Sequence, residues 1–202
     1  MPRIAGQIDV AKTEAILDAA AAAMAERGLA ASLEEIARRA GVSKQTIYNH
    51  YGSKAELLRA LMERRVDAIT AALDMPGGEE RPEPALAEFA RTMMAGMFSP
   101  NAGAFMRVIA LGAGEAPDLA ETFYAAGPRS SRARLAQFLE RETAAGRLDV
   151  PDPSRAAEFF IGMVVSSFQL AVILGLTPSL AESDVGGVAA EAAKRFVRAY
   201  AV

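Results

Sequence analysis

SLEEIARRAGVSKQTIYNHYGSKAE, residues 32–56, decides the fold. Ser32 followed three residues later by Glu35 forms a capping box, the N-terminal signature of a helix. Leu33, Ile36, Ala37 and Ala40 then recur at helical spacing and make one narrow apolar face. Gly41 supplies the permissive backbone of a sharp helix-to-helix turn, Val42 anchors it, and Ser43 caps a second helix. Ser53 and Glu56 form another capping box at once. Three helix starts in so short a stretch predict short, crossed helices with helix-turn-helix spacing.

The helix expected over 44–51 carries the chemistry. At about 100° per residue, Ile47 and Tyr51 share its inner face, with Val42 close by. Gln45, Thr46, Asn49 and His50 point the other way, and Tyr48 lies at the boundary. This outer face has little charge and many hydrogen-bonding groups, which suits base-pair edges: Gln or Asn can bond adenine in bidentate fashion, and Thr can meet a thymine methyl. Lys44, Lys54 and the Tyr48 hydroxyl are placed for phosphates, which fix register rather than sequence. Polarity alone leaves a solvated surface helix as the alternative.

GVSKQTIYNHYGSKAELLRAL, with AILDAAAAAMAERGL and LEEIARRA before it, resembles the DNA-binding segment of the TetR/AcrR family of transcriptional regulators over roughly the first 70 residues. The resemblance implies that Lys44, Gln45, Thr46, Tyr48, Asn49 and His50 face DNA and that Lys54 meets a phosphate. Tyr51 stands where the family more often has Phe, so its hydroxyl needs a partner or a route to water.

Around this stretch the chain is long enough, at 202 residues, for one or two domains, and 51% of its residues are hydrophobic. Such a composition supports a packed core rather than disorder. There is no cysteine, which excludes disulfides, thiolate catalysis and Cys-ligated metals. His50 is the single histidine, so neither a Ser-His-Asp site nor a multi-His metal site is available. No phosphate-binding loop or dinucleotide fingerprint occurs, no cofactor is expected, and the carboxylate pairs Glu34-Glu35 and Glu79-Glu80 read as solvated. Formal charge is −3, divided as +1 over residues 1–70 and −4 over the rest. Electrostatics alone therefore does not announce DNA binding, and phosphate contacts must come from a few placed groups.

Residues through Asp9 read as a mobile arm, from which Arg3 is a candidate for the minor groove. A first helix over 10–27 turns Ile16, Ala20, Ala23 and Met24 inward and ends at Gly28. The fourth helix keeps Leu58, Met62, Val66, Ile69 and Leu73 on one face. DMPGGEERPEP, residues 74–84, is the best linker. Helices are expected over about 84–98, 101–112, 117–145, 153–175 and 184–201, with a kink or break at Gly127-Pro128. The expected fold is thus all-α: a three-helix, helix-turn-helix DNA-binding domain with its connecting helix (1–73), a linker (74–84), and a helical ligand-binding and dimerisation domain (85–202).

FFIGMVVSSFQLAVILGL, residues 159–176, approaches the length of a membrane span, but its central Ser166, Ser167 and Gln169 favour a helix buried in protein. A second copy of the chain is its natural cover, with Gly162 and Ser166 allowing close approach. The last helix offers Ala189, Ala193, Phe196 and Tyr200 to the same interface, a four-helix contact that the family resemblance implies. The second domain is rich in soft and aromatic side chains. Met93, Met97, Phe105, Met106, Phe123, Met163 and Phe168 are candidates to line an adaptable apolar site, with an ordinary core as the alternative. Arg107, Tyr124, Ser166, Ser167 and Gln169 are candidates to orient what binds there. The expectation is a cytoplasmic homodimer that binds a near-palindromic operator in double-stranded DNA and is released by a small apolar or amphipathic effector. A helix-turn-helix protein whose second domain binds a protein partner, and an all-helical enzyme, are the alternatives.

Overall fold

The computed structural model describes residues 10–74, 81–176 and 182–202. The N-terminal arm with Arg3, most of the linker with Glu79-Glu80, and the boundary at Pro178 lie outside these residues. So do the side chains of Ser166 and Ser167. Ten α-helices are present among the described residues, and no strand: α1 (Val10–Arg27), α2 (Leu33–Ala40), α3 (Lys44–Tyr51), α4 (Lys54–Thr70), α5 (Pro82–Phe98), α6 (Pro100–Gly112), α7 (Pro117–Tyr124), α8 (Ser130–Ala144), α9 (Pro153–Leu174) and α10 (Glu182–Ala199). The all-α expectation holds. α5 begins two residues earlier than its spacing suggested, with Pro82 at the first position, where a missing N–H costs nothing.

By packing, the chain forms two compact units, Met1–Arg64 with Pro100–Ala126, and Arg65–Ser99 with Gly127–Val202. In the first, Ile16, Ala20, Ala23 and Met24 of α1 are fully buried with Ile36, Ile47, Leu57 and Leu58, and Phe105 and Ile109 of α6 complete the core. Gly28, at φ +63°, ends α1 and leads into a 3-10 turn, Gly28–Ala30. A Cβ added there would stand 1.8 Å from Val108 Cγ1, so α6 lies where only glycine leaves room. Gly41 takes the left-handed conformation between α2 and α3 (φ 67°, ψ 28°).

In the second unit, Phe160 of α9 lies between Phe89 of α5 (6.2 Å between centroids) and Phe196 of α10 (5.1 Å). α8 packs on α9, and α10 runs along α5. The Gly127-Pro128 break is a π-helical turn, Ala125–Arg129, with Pro128 inside it. Gly175 closes α9 in the left-handed conformation.

One expectation changes. Ala189, Ala193 and Phe196 do not form an outward face, because all three are buried in their own chain, where α10 meets α5. A one-sided apolar stripe needs a cover and does not say which helix provides it. Exposed large apolar side chains are found on α9, where Phe159 is 58% and Leu170 62% exposed and Met163 and Leu174 are also exposed. Among the described residues, no single helix is long and apolar enough to cross a membrane.

Candidate nucleic-acid interface

α3 is held by caps at both ends. Ser43 Oγ accepts from the Thr46 amide at 3.0 Å and lies 2.8 Å from the Thr46 hydroxyl. At the other end, the Gly52 amide donates to the Tyr48 carbonyl at 2.8 Å, with Gly52 at positive φ. Ile47 is fully buried, whereas Lys44, Gln45, Tyr48, Asn49 and His50 are exposed and Thr46 is half-buried. The helix thus sorts its side chains as a 100° periodicity demands, one apolar anchor inward and the amide and imidazole groups outward.

These outer groups are organised before any ligand arrives. Gln45 Nε2 donates to Asn49 Oδ1 at 2.7 Å, an i, i+4 pair on the exposed surface. The amide that Asn49 presents outward is therefore set in part by Gln45. Lys44 lies 5.4 Å from the Tyr48 ring centroid and is ion-paired with Glu34 of α2. That pairing raises the Lys44 pKa and lowers that of Glu34. Lys54, the first residue of α4, is partly buried, and burial lowers its pKa.

Behind α3, a charge network ties α1 to α2. Glu35 bridges Arg39 at 2.7 Å and Arg27 at 3.0 Å, and Arg39 also reaches Glu26. Glu35 is therefore not a solvated carboxylate, and its capping box is one-sided. Its amide bonds Ser32 Oγ at 3.2 Å while its side chain is taken by the two arginines, whose hydrogen bonds lower its pKa. Ser53 likewise accepts from the Glu56 amide at 3.1 Å, and the Glu56 carboxylate goes to Arg59. Sequence spacing reveals such caps. It does not reveal that Glu34 faces Lys44 ten residues on, because that contact exists only once the turn has crossed the two helices.

Tyr51 is the unusual member of the helix. Its ring is partly buried, edge-on to His50 at 4.6 Å, and its hydroxyl is buried with no hydrogen-bond partner. Burial pushes its pKa up. The route to water that a tyrosine would need here is absent.

The seven apolar candidates are divided between the two compact units. Phe105, Met106 and Phe123 fall in the first unit, where the Phe105 and Phe123 rings meet at 5.6 Å within the core that also holds Ile47. Met93, Met97, Met163 and Phe168 fall in the second. There Met97 is buried, Phe168 meets Phe98 edge-on at 5.7 Å, and Met163 lies on the exposed side of α9. An open groove of about 510 Å³ runs between Met163 and the α10 residues Asp184, Val188, Glu191 and Arg195. Of the orienting candidates, Tyr124 and Gln169 are exposed and Arg107 is partly buried.

Comparison with known proteins agrees with the geometry. Residues 16–61 match the family described as bacterial regulatory proteins, tetR family, and residues 84–202 match the AefR-like transcriptional repressor C-terminal domain. The transcriptional activator FasR of Mycolicibacterium smegmatis is 44% identical over 67 residues, which is 33% of this chain and 27% of that protein. The transcriptional repressor KstR2 of Mycobacterium tuberculosis is 39% identical over 72 residues, 35% of this chain and 36% of that protein. The matched region thus spans about a third of these curated relatives. Similarity to solved structures runs the whole length. A TetR-family regulator from Mesorhizobium loti superposes with a TM-score of 0.78 at 25% identity, covering 96% of this chain and 100% of the other. The flavonoid-responsive regulator FrrA gives 0.66 at 33% identity, covering 94% and 97%.

Proposed function

The chain belongs to the TetR family of bacterial transcriptional regulators, and on that premise we propose that it is a homodimeric repressor whose α3 reads an operator and whose helical second domain takes a small apolar or amphipathic effector. The observation that carries the reading is the sorting of α3, with Ile47 fully buried and Gln45, Tyr48, Asn49 and His50 turned to solvent. Lys44, Gln45, Thr46, Tyr48, Asn49 and His50 face the DNA, with Lys44 and the Tyr48 hydroxyl nearer the phosphates, and Lys54 meets a phosphate. The division into 1–73, 74–84 and 85–202 assigns reading to the first segment and sensing and dimerisation to the last. The sign of regulation follows the repressor description of the domain matched by residues 84–202. The protein works in the cytoplasm, where its DNA is, and needs no cofactor.

Dimerisation is supported by the exposed apolar side chains of α9, Phe159 and Met163 on its first part and Leu170 and Leu174 on its second. A two-fold axis past α9 relates two copies of α3, which enter major grooves roughly 34–36 Å apart on a near-palindromic site. An effector releases DNA only by binding the poorly spaced dimer better than the well-spaced one, since equal affinity shifts nothing. α4, which contributes residues to both compact units, is the element through which that choice reaches α3.

The test has three parts: selection of bound fragments from random DNA, sedimentation of the free protein, and a screen for compounds that release the selected fragment, with flavonoids included because FrrA responds to them. The reading expects a palindromic consensus, a dimer, and release by a small molecule. A monomer, or binding without sequence preference, contradicts it.

A further inference from the structure

Gln45 and Asn49 carry the two carboxamides of α3, four residues apart and both exposed. They are bonded to each other, Gln45 Nε2 donating to Asn49 Oδ1 at 2.7 Å. In water such a pair adds little to a helix, so its consequence lies in direction. One Gln45 proton and one Asn49 lone pair are spent. Asn49 keeps both Nδ2 protons and a second lone pair on Oδ1, and its amino and carbonyl ends are told apart. A flip of Asn49 alone would set two amino groups against each other. Neighbouring polar groups of the helix are engaged elsewhere: the Thr46 hydroxyl lies 2.8 Å from Ser43 Oγ, and Lys44 is ion-paired with Glu34.

The donors and acceptor left on Asn49 match one base. Adenine shows an acceptor at N7 and a donor at N6, so an amide that gives Nδ2–H to N7 and takes N6–H on Oδ1 satisfies both. Guanine shows two acceptors, N7 and O6, and would set one of them against the Asn49 carbonyl. Thymine and cytosine each offer a single hydrogen-bonding group in the major groove. The reversed amide fails with adenine, donor meeting donor and acceptor meeting acceptor. Docking also strips water from both side chains, and an amide group left unpaired there weakens binding. Gln45 meets part of that demand within the helix, because one of its protons already has its partner in Asn49.

We propose that Gln45 and Asn49 act as one reader of a single adenine in each half-site: Asn49 bonds its N7 and N6, and Gln45 is the positioning residue that holds the Asn49 amide in the required sense. This rests on α3 reading base edges, and it names the base and divides the roles.

Selection from random duplex DNA with the full chain, followed by binding isotherms on the selected duplex, tests it. The variants are Asn49→Ala, Gln45→Met, which keeps the length of the side chain without a donor, and Gln45→Lys, which keeps a donor. Asn49→Ala should lose about five- to hundredfold of the discrimination for adenine at one pair of symmetry-related positions. Gln45→Met should lose preference at those same positions, and Gln45→Lys should retain it. Gln45→Met added to Asn49→Ala should change nothing further. 7-Deazaadenine at those positions should weaken wild type several-fold and leave Asn49→Ala unaffected. Both side chains are exposed, so every variant should melt with wild type. Base preference is the readout, because an added lysine tightens all sequences alike. Loss at different positions in the two single variants, additive losses in the double, or equal loss in Gln45→Met and Gln45→Lys overturns the division of roles. Guanine at the Asn49-dependent positions, or no response to 7-deazaadenine, overturns the base assignment. In each of these cases a wild-type consensus leaves α3 as the reader. A wild type that selects no consensus refutes that reading, and the inference with it.

Discussion

Gly28→Ala is the sharpest test of how the reading unit is built. The new methyl would stand 1.8 Å from Val108 Cγ1 and 3.0 Å from Val108 Cβ, where carbon atoms rest at about 3.5–4.0 Å. Close-packed interiors do not open by nearly 2 Å, and overpacking of this kind costs about 1–3 kcal/mol. The backbone adds to this, because Gly28 sits at φ +63°, a conformation that costs an L-residue about 1–2 kcal/mol. A less flexible unfolded chain returns about 0.4–1 kcal/mol. The balance is a loss of about 2–4 kcal/mol, or a fall in Tm of roughly 5–15 °C for a chain of this length. Thermal and urea unfolding would measure it. Val108→Ala in the same chain removes the nearer atom, so the double variant should recover about 1–3 kcal/mol relative to additivity. A Gly28→Ala protein within about 0.5 kcal/mol of wild type, or strict additivity with Val108→Ala, would refute the close approach of α6 to the end of α1.

The remaining expectations concern α3 and its surroundings. Tyr51→Phe removes a buried hydroxyl that has no partner and should stabilise the fold by about 0.5–2 kcal/mol; loss of stability would mean that the hydroxyl is satisfied. Because the folded pKa of Tyr51 lies above its ordinary value of 10.0, the unfolded chain loses its proton first. Its contribution to stability is complete below pH about 10 and declines as pH rises towards the folded value, so Tyr51→Phe should unfold less steeply in alkali. Glu34→Gln frees Lys44 and should tighten binding to all DNA sequences alike at low salt, with an effect that fades as salt rises; unchanged affinity would show that Lys44 meets no phosphate. Lys54→Ala should weaken all sequences similarly and reduce the salt slope by about one, as read from binding isotherms at several salt concentrations.

The reading helix was legible because its signals are local. Ser43, Gly41 and Gly52 fix its ends, and Ile47 is the apolar residue that the periodicity points inward. What sequence left open is what each apolar stripe packs against. Ala189, Ala193 and Phe196 are a clear stripe, but their cover is α5 of the same chain. Phe105 read as a lining residue of the second domain, whereas packing puts it with Ile16 and Ile47 in the first unit. Charge partners are less visible still. Glu35 is a partly buried bridge between two arginines, because ion pairs join residues at separations that no local pattern encodes.

The central claim is that the outward amides of α3 read base edges. Selection from random DNA, run in parallel with wild type, Gln45→Ala and Asn49→Ala, tests it most directly. The account predicts that each variant loses preference at one pair of symmetry-related positions, with about 1–3 kcal/mol less discrimination there and little change elsewhere. Consensus sequences identical to wild type in both variants would contradict it.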